Sequence, residues 1–208
     1  MTGFLRLGTP FSEGTVVYGR DELDTLIASN DDRAFGVVLD VLRMAGLREQ
    51  EAVHLQWQDV DFKRGMLLVR SKPKMGFTIK DKEERDVPMP DALVDVLKKW
   101  KAERPKTELV LGTRGDKPNR KWLRALKRLA RRAKLNCGRC DPCKERQECA
   151  HWTLHSFRWS YATRLAQNGV DVRTIMGLMG HSDIQTTLRY LAPMEAKAAQ
   201  TLVNRVNW

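Results

Sequence analysis

Several classes of protein are excluded by what this 208-residue sequence lacks. It has no run of 18 apolar residues and no apolar signal-peptide core near its N-terminus, so we expect neither a membrane partner nor secretion. Cysteine is scarce: the whole chain has four, and all of them lie within one short segment. We therefore expect a cytoplasmic protein in a reducing compartment.

Negative charge is also in short supply. The chain has 26 Asp and Glu against 37 Lys and Arg, which gives a net charge of +11. Residues 96–135 alone contain 15 Lys or Arg and 3 Asp or Glu, so this one segment carries the excess. Such a distribution favours a polyanionic partner, and nucleic acid before a membrane surface.

The apolar pattern predicts many helices and few strands. Phe35, Val38 and Leu42 follow a 3.6-residue period, and two short β-type runs flank a loop of Lys, Pro and Gly. The predicted helices cover residues 20–29, 31–45, 48 onward, 91–103, 120–134, 155–168 and 171–179, followed by one that Ser182 would cap and a short amphipathic one at 196–206. The predicted strands cover residues 66–70 and 82–89, with a brief one at 109–111.

One stretch, residues 155–190, concentrates side chains that suit phosphoryl chemistry. His155 and Arg158 are three positions apart, so they project from one face of a helix. His181 directly follows the Gly180 that ends the next helix, and Tyr190 comes nine positions later. Together they offer a hydroxyl nucleophile, an always-charged phosphate ligand and two imidazoles that can move protons. The set lacks the carboxylates of a two-metal phosphoryl-transfer site.

The spacing of these residues resembles the C-terminal motif of the tyrosine recombinases, the phage-integrase family. That motif is His-x-x-Arg, then His or Trp some twenty residues on, then Tyr nine positions later; here 22 residues lie between Arg158 and His181. Any one such His or Tyr is more often structural, but their agreement makes the pattern specific. The segment AGLREQEAVHLQWQDVDF is similar to the family's Gly-Leu-Arg turn, which puts the first catalytic arginine at Arg48. At the start of a helix, Arg48 lies where a phosphate is readily bound.

The resemblance covers about residues 31–193 and implies a mainly α fold with a small antiparallel β-sheet (α+β), that of the DNA breaking–rejoining enzymes. Residues 20–208 would be the catalytic domain, after an N-terminal extension or linker at residues 1–19. The family usually has a DNA-clamping domain before the catalytic one, and we find no counterpart in this sequence. The implied reaction cleaves and rejoins DNA through a 3′-phosphotyrosyl intermediate on Tyr190. The other implied catalytic residues are Arg48, Lys72, His155, Arg158 and His181.

The implied partners are double-stranded DNA and further copies of the chain, as a tetramer on DNA and a monomer in isolation. No catalytic metal or nucleotide cofactor is implied, because the phosphotyrosyl bond stores the energy for rejoining. The general acid would be a lysine of the β-hairpin loop. Lys72, 24 residues after Arg48, matches that position, while Lys74 is the alternative and otherwise a DNA contact.

Two other functions stay open from the sequence. A type IB topoisomerase-like enzyme would use the same chemistry without joining two duplexes, so strand exchange would distinguish it. A non-catalytic DNA-binding remnant is disfavoured, because all six expected side chains are present.

The predicted helix at 120–134 is a candidate DNA contact. Its apolar stripe is Trp122, Leu126, Leu129 and Ala133, and the rest is basic with no acidic residue. A solvated helix face normally mixes both signs of charge, so an all-basic face favours phosphate contact. The predicted DNA-binding residues are Lys74, Arg120, Lys121, Arg124, Lys127, Arg128 and Arg131.

The four cysteines form a C-x2-C-x2-C-x5-C pattern within an insertion at residues 137–151. They are Cys137, Cys140, Cys143 and Cys149. In a reducing compartment this spacing favours a metal over disulfides, and four thiolates suit tetrahedral zinc in a closed, structural site. An iron–sulfur cluster is less favoured because the last gap does not fit. Thiols without a metal remain an alternative.

Overall fold

The computed structural model describes residues 16–79, 84–145, 148–181 and 204. In these residues helices dominate and one small antiparallel sheet is present, which confirms the predicted fold class. The helices are α1 (Arg20–Ala28), α2 (Arg33–Ala45), α3 (Glu49–Val53), α4 (Asp91–Glu103), α5 (Trp122–Arg132), α6 (Asp141–Lys144), α7 (Leu154–Gln167) and α8 (Val172–Met179). The strands are β1 (Val60–Asp61), β2 (Met66–Val69) and β3 (Arg85–Pro88), and 3₁₀ turns cover Trp57–Asp59 and Pro73–Met75.

The sheet has the order β1-β2-β3, and both strand pairs are antiparallel. Leu67 pairs with Val87, and both are fully buried, whereas neighbouring positions along the strands are less so. This alternation places one face of the sheet on the core. The loop between β2 and β3 carries Lys72 and Lys74.

Helix α2 is the centre of the core. Val37, Val38, Leu39, Val41 and Leu42 are all buried, so the helix is apolar nearly all round. It packs against α4 on one side and α7 on the other. The central helix thus supports α7, the helix that carries His155 and Arg158.

The helix ends follow the signals in the sequence. Asp32 caps α2 by accepting a hydrogen bond from the Phe35 N–H at 3.1 Å, and Asp171 caps α8 in the same way. Gly46 and Gly180 end these two helices with φ of +59° and +58°, a backbone conformation that glycine adopts without a Cβ clash.

Several predicted elements differ in extent from the observed ones, and the structure shows the reason for two of them. Helix α5 begins at Trp122 and not at residue 120, because the Asn119 side chain accepts from the Lys121 N–H and holds a turn ahead of the helix. Residues 109–111 form no strand, since only Leu109 makes a bridge, to Gln56. Beside this bridge, Val110 N–H donates to Leu55 O and Glu108 O accepts from Trp57 N–H. Trp57 begins a 3₁₀ turn, which cannot continue a ladder.

Several predicted features lie wholly or partly outside the described residues. They are most of the N-terminal extension at 1–19, the start of the strand at 82–89, the Ser182 cap, the helix carrying Tyr190 and most of the amphipathic segment at 196–206. Among the helices that the structure does describe, none combines the length and apolarity needed to span a bilayer.

Candidate active site and DNA-facing surfaces

Three arginine side chains from three different elements converge on the C-terminal end of α8. The last carbonyls of a helix have no partner within the helix and carry its negative dipole end, so they attract cationic donors. The three hydrogen bonds run from Arg85 Nε to Leu178 O at 2.8 Å, from Arg158 Nη2 to Met179 O, and from Arg48 Nη2 to Gly180 O at 2.8 Å. These bonds hold α3, β3 and α7 together at the C-terminal end of α8.

A buried carboxylate, Glu51 on α3, ties two of these arginines together. It accepts from Arg48 Nη1 at 2.9 Å and from Arg85 Nη1 and Nη2 at 2.9 and 2.7 Å. Burial alone would raise the pKa of Glu51, but the bidentate bond to Arg85 and the charges of Arg85 and Arg158 outweigh it and hold the pKa at about 2. Because Glu51 stays ionised, these four side chains bring three positive charges and one negative charge to the cluster.

Arg158 is 1% exposed and is held from two sides. Its Nη1 donates to Gly46 O at 2.7 Å, and its Nη2 lies 3.3 Å from His181 Nε2. Burial lowers the pKa of His181 to about 3, helped by the charges of Arg158, Arg48 and others. His181 is therefore a neutral imidazole at pH 7, and it lies directly beside the arginine cluster.

His155 is exposed on the first turn of α7, one turn before Arg158. Its ring meets that of Trp159 edge-on, with 5.0 Å between the centroids. The ring is nevertheless partly shielded from water, which lowers the pKa of His155, and the charges of Arg158 and Arg48 lower that pKa further. The neutral imidazole that results can accept a proton.

Lys72 and Lys74 occupy different environments in the β2–β3 loop. Lys72 Nζ donates to Asp59 Oδ1 at 2.8 Å, and its side chain is 11% exposed. It lines a small cavity together with Glu51 and His54, which brings it next to the arginine cluster. Lys74 is exposed in the 3₁₀ turn Pro73–Met75.

The structure thus brings Arg48, Arg158 and His181 into one hydrogen-bonded cluster and places Lys72 at its edge. Tyr190 lies outside the described residues. Arg85, Glu51 and Asp59 also belong to this site, and they were not predicted from the sequence. One signal existed for Arg85, because it occupies the same face of β3 as Val87, a position where a strand normally places an apolar residue.

We expect Gly46→Ala to destabilise the protein strongly. A Cβ at this position would lie 2.3 Å from Tyr161 Cδ1, and φ is +59°, so both the ring and the backbone resist the change. The expected loss is about 2–4 kcal/mol of unfolding free energy, measured by urea denaturation. Gly76→Ala is the matched control for positive φ, since its φ is +69° with nothing within 4 Å. Equal losses at both glycines would contradict the close approach of Tyr161.

The basic side chains of α5 do not all face solvent. Arg124, Arg128 and Arg131 are exposed at a spacing of four and three residues, so they form one stripe opposite the buried residues of the helix. Lys127 is half-buried and 4.0 Å from Glu148. Arg120 and Lys121 are exposed just ahead of the helix. We call Arg124, Arg128 and Arg131 the α5 stripe.

The four cysteines form a compact cluster between α5 and α7. All four sulfurs lie within 4.8 Å of one another, and Cys149 is fully buried against the core. A set of four thiols at this separation is suited to hold one metal ion.

Comparison with known proteins places this arrangement in a family. The chain belongs to the phage integrase family, whose family model matches residues 20–197. It is 27% identical over 177 residues to the tyrosine recombinase XerA of Pyrococcus furiosus, covering 82% of this chain and 54% of that protein. It is 30% identical over 172 residues to the tyrosine recombinase XerC of Corynebacterium glutamicum, covering 78% and 49%. The chain therefore spans about half the length of these relatives.

Solved structures give the same fold. The crystal structure of XerA recombinase matches with a TM-score of 0.70 at 22% identity, over 97% of this chain and 67% of that one. The Tn1549 transposon integrase in complex with a circular intermediate DNA matches with a TM-score of 0.71 at 19% identity, over 94% and 67%. The described helices and sheet are those of a tyrosine recombinase catalytic domain.

Proposed function

We propose that this chain is the catalytic core of a site-specific DNA recombinase, which cuts and rejoins strands through a 3′-phosphotyrosyl bond on Tyr190. The observation that carries the proposal is the convergence of Arg48, Arg158 and His181 at the end of α8, in a member of the phage integrase family. The excess positive charge there suits a single phosphodiester.

Arg48 and Arg158 would bind the non-bridging oxygens of the scissile phosphate. These oxygens gain charge as the pentacoordinate transition state forms, and fixed guanidinium donors around a developing charge are usually the largest catalytic contribution. In the described structure the same nitrogens contact α8 carbonyls. A phosphate oxygen carries more negative charge than a carbonyl and is therefore the stronger acceptor. His181, being neutral, would donate one further hydrogen bond to it.

Two groups would move protons. His155 would accept the proton of the Tyr190 hydroxyl, and the lowered pKa of His155 supports this role because only the neutral ring is a base. Lys72 would protonate the departing 5′-oxygen, and its place in the cavity beside Glu51 favours it over Lys74. Neither step requires a metal ion or a nucleotide.

The proposed partner is double-stranded DNA, with a tetramer of the protein assembled on it in the cytoplasm and a monomer in its absence. Residues 20–208 would form the catalytic domain, after an extension or linker at 1–19. The cysteine insertion at 137–151 would hold a zinc ion. That zinc would be structural, since four thiolates leave no open coordination position.

The test of the proposal is covalent trapping on nicked duplexes whose sequence around the nick is randomised. After attack at the phosphate, the short fragment with the 5′-hydroxyl diffuses away, so rejoining fails and protein accumulates on the DNA 3′ end. Recovery of that adduct supports the proposal. Its absence at high protein concentration, with DNA bound, would contradict it.

We expect DNA affinity to fall steeply with salt, with the α5 stripe contributing a share of that dependence. Each phosphate contact contributes a slope of about −0.9 in log K against log salt concentration. Replacing Arg124, Arg128 and Arg131 with Ala should therefore flatten the slope by up to about 2.7, as measured by fluorescence anisotropy titrations.

The matched control removes three exposed lysines on and after α4: Lys98, Lys99 and Lys106. It lowers the net charge by the same amount as the three-arginine variant, and it should leave most of the slope of log K against log salt concentration unchanged. The same flattening in both variants would mean that the α5 stripe is one part of a diffuse charge effect and not a docking surface.

A further inference from the structure

We infer that Cys137, Cys140, Cys143 and Cys149 bind one zinc ion, and that this ion fastens the end of α5 to the start of α7. Four sulfurs at about 2.3 Å from zinc in a tetrahedron lie about 3.8 Å apart. The Cys137–Cys143 and Cys140–Cys149 sulfur pairs are 3.9 and 4.0 Å apart, and all four sulfurs lie within 4.8 Å of one another. These separations fit one central ion and are about twice a disulfide bond length.

The backbone around the cluster is arranged for thiolates. Three N–H groups point at sulfur at 3.4 Å: those of Cys137 toward Cys149, Cys140 toward Cys137, and Ala150 toward Cys140. Such donors stabilise negative charge on sulfur, as the outer hydrogen bonds of metal sites do. Gly138 makes the first Cys-x-x-Cys turn possible, with φ of +67°. The cluster thus has both the sulfur geometry and the donors of a metal site.

The cluster is joined to the core on the side of α7. Cys149 is fully buried, and the nearby Trp152 is buried too and donates from Nε1 to Leu135 O at 3.0 Å. This bond links the segment that leaves α5 to the segment that enters α7. Tyr18 stacks on Trp152, with 4.4 Å between ring centroids, and its hydroxyl donates to Thr153 O at 2.8 Å.

Loss of the ion would affect α7, the helix that carries His155. Thr153 caps α7, and His155 lies on its first turn. Without the ion, nothing positive would hold four thiolates this close together, so the described segments that carry the cysteines would loosen. The position of His155 and the attachment of α5 would then loosen with it. This coupling rests on the proposed function, whereas the metal site itself does not.

The first test is made on the purified protein. Elemental analysis should give one zinc per chain, and cobalt substitution should give the visible spectrum of a tetrahedral four-thiolate site. Cys143→Ser should lose the metal and lower Tm by at least about 5 °C. Lys144→Ala is the control, because Lys144 is the neighbouring residue, is exposed and contacts Asp141 instead of the sulfurs; it should keep its zinc. Iron in place of zinc, or no metal with four titratable thiols in folded protein, would overturn the inference.

The second test separates the coupling from the proposed function. Cys143→Ser should form the covalent DNA adduct at least about 10-fold more slowly than Lys144→Ala at a temperature where both are folded. It should also show faster hydrogen exchange at residues 148–155. Equal exchange and equal rates in a metal-free variant would overturn the coupling. Absence of any adduct with zinc-loaded wild-type protein would instead count against the proposed function, leaving the zinc site in place.

Discussion

Tyr190→Phe is expected to bind DNA with nearly wild-type affinity and to form no covalent adduct. The substitution removes one hydroxyl and keeps the ring, so folding and groove contacts should survive while the nucleophile is lost. We expect the rate of adduct formation on nicked duplexes to fall by at least about 1000-fold, measured by denaturing gel electrophoresis. An adduct that persists in Tyr190→Phe, or that maps by mass spectrometry to another residue, would overturn the assignment.

The two remaining tyrosines serve as matched controls. Tyr161 is buried on α7 against Gly46, and burial raises its pKa, so its hydroxyl is a poor nucleophile. Tyr18 is also buried, and its hydroxyl bonds to Thr153. Tyr161→Phe and Tyr18→Phe should both keep adduct formation at temperatures where they are folded, although Tyr18→Phe should lower Tm because it leaves the Thr153 backbone without its partner.

Lys72→Ala should slow cleavage of ordinary DNA by about 100-fold or more, the usual contribution of a general acid. A substrate with sulfur at the 5′-bridging position has a leaving group that needs little protonation. Cleavage of that substrate should therefore return to near the wild-type rate in Lys72→Ala. The measurement is the single-turnover rate of adduct formation on both substrates.

Lys74→Ala is the control, because it removes the same charge from the same loop. It should weaken DNA binding modestly, and sulfur should not rescue it selectively. Lys72→Ala also leaves the buried carboxylate of Asp59 without its ion-pair partner, so some loss of stability is expected. Selective rescue by sulfur distinguishes the two effects, since a destabilised fold would slow both substrates equally. Rescue of Lys74→Ala instead would move the general acid to Lys74.

Local signals in the sequence were enough to predict most elements of the fold. Asp32, Gly46, Asp171 and Gly180 set helix ends, and each acts within a few residues of itself. The apolar period of residues 35–45 likewise predicted a core helix. The errors at residues 120 and 109–111 depend on an Asn119 side-chain bond and on a single bridge to the distant Gln56. Neither is visible in hydrophobic periodicity.

The candidate site, like the fold, was predicted from the sequence only in part. The spacing from His155 to Tyr190 and the turn at Arg48 led to the proposed reaction from the sequence alone, because the resemblance rests on residue types at fixed intervals. The sequence could not reveal that Glu51 and Arg85 form a buried ion pair, since they are 34 positions apart. Such pairs depend on which elements the core brings together.

The sequence by itself determined the basic character of residues 96–135, the helix ends, the spacing of the four cysteines and the set of candidate catalytic side chains. Only the tertiary structure decided which of them meet. It brings Arg48, Arg85 and Arg158 to the carbonyls at the end of α8. It also pairs the half-buried Lys72 with Asp59 while leaving Lys74 exposed, and it turns the α5 stripe outward. The physical reason is that charge type and backbone preference belong to single residues. Convergence, burial and pKa shifts arise only once packing around α2 has fixed the distances between helices.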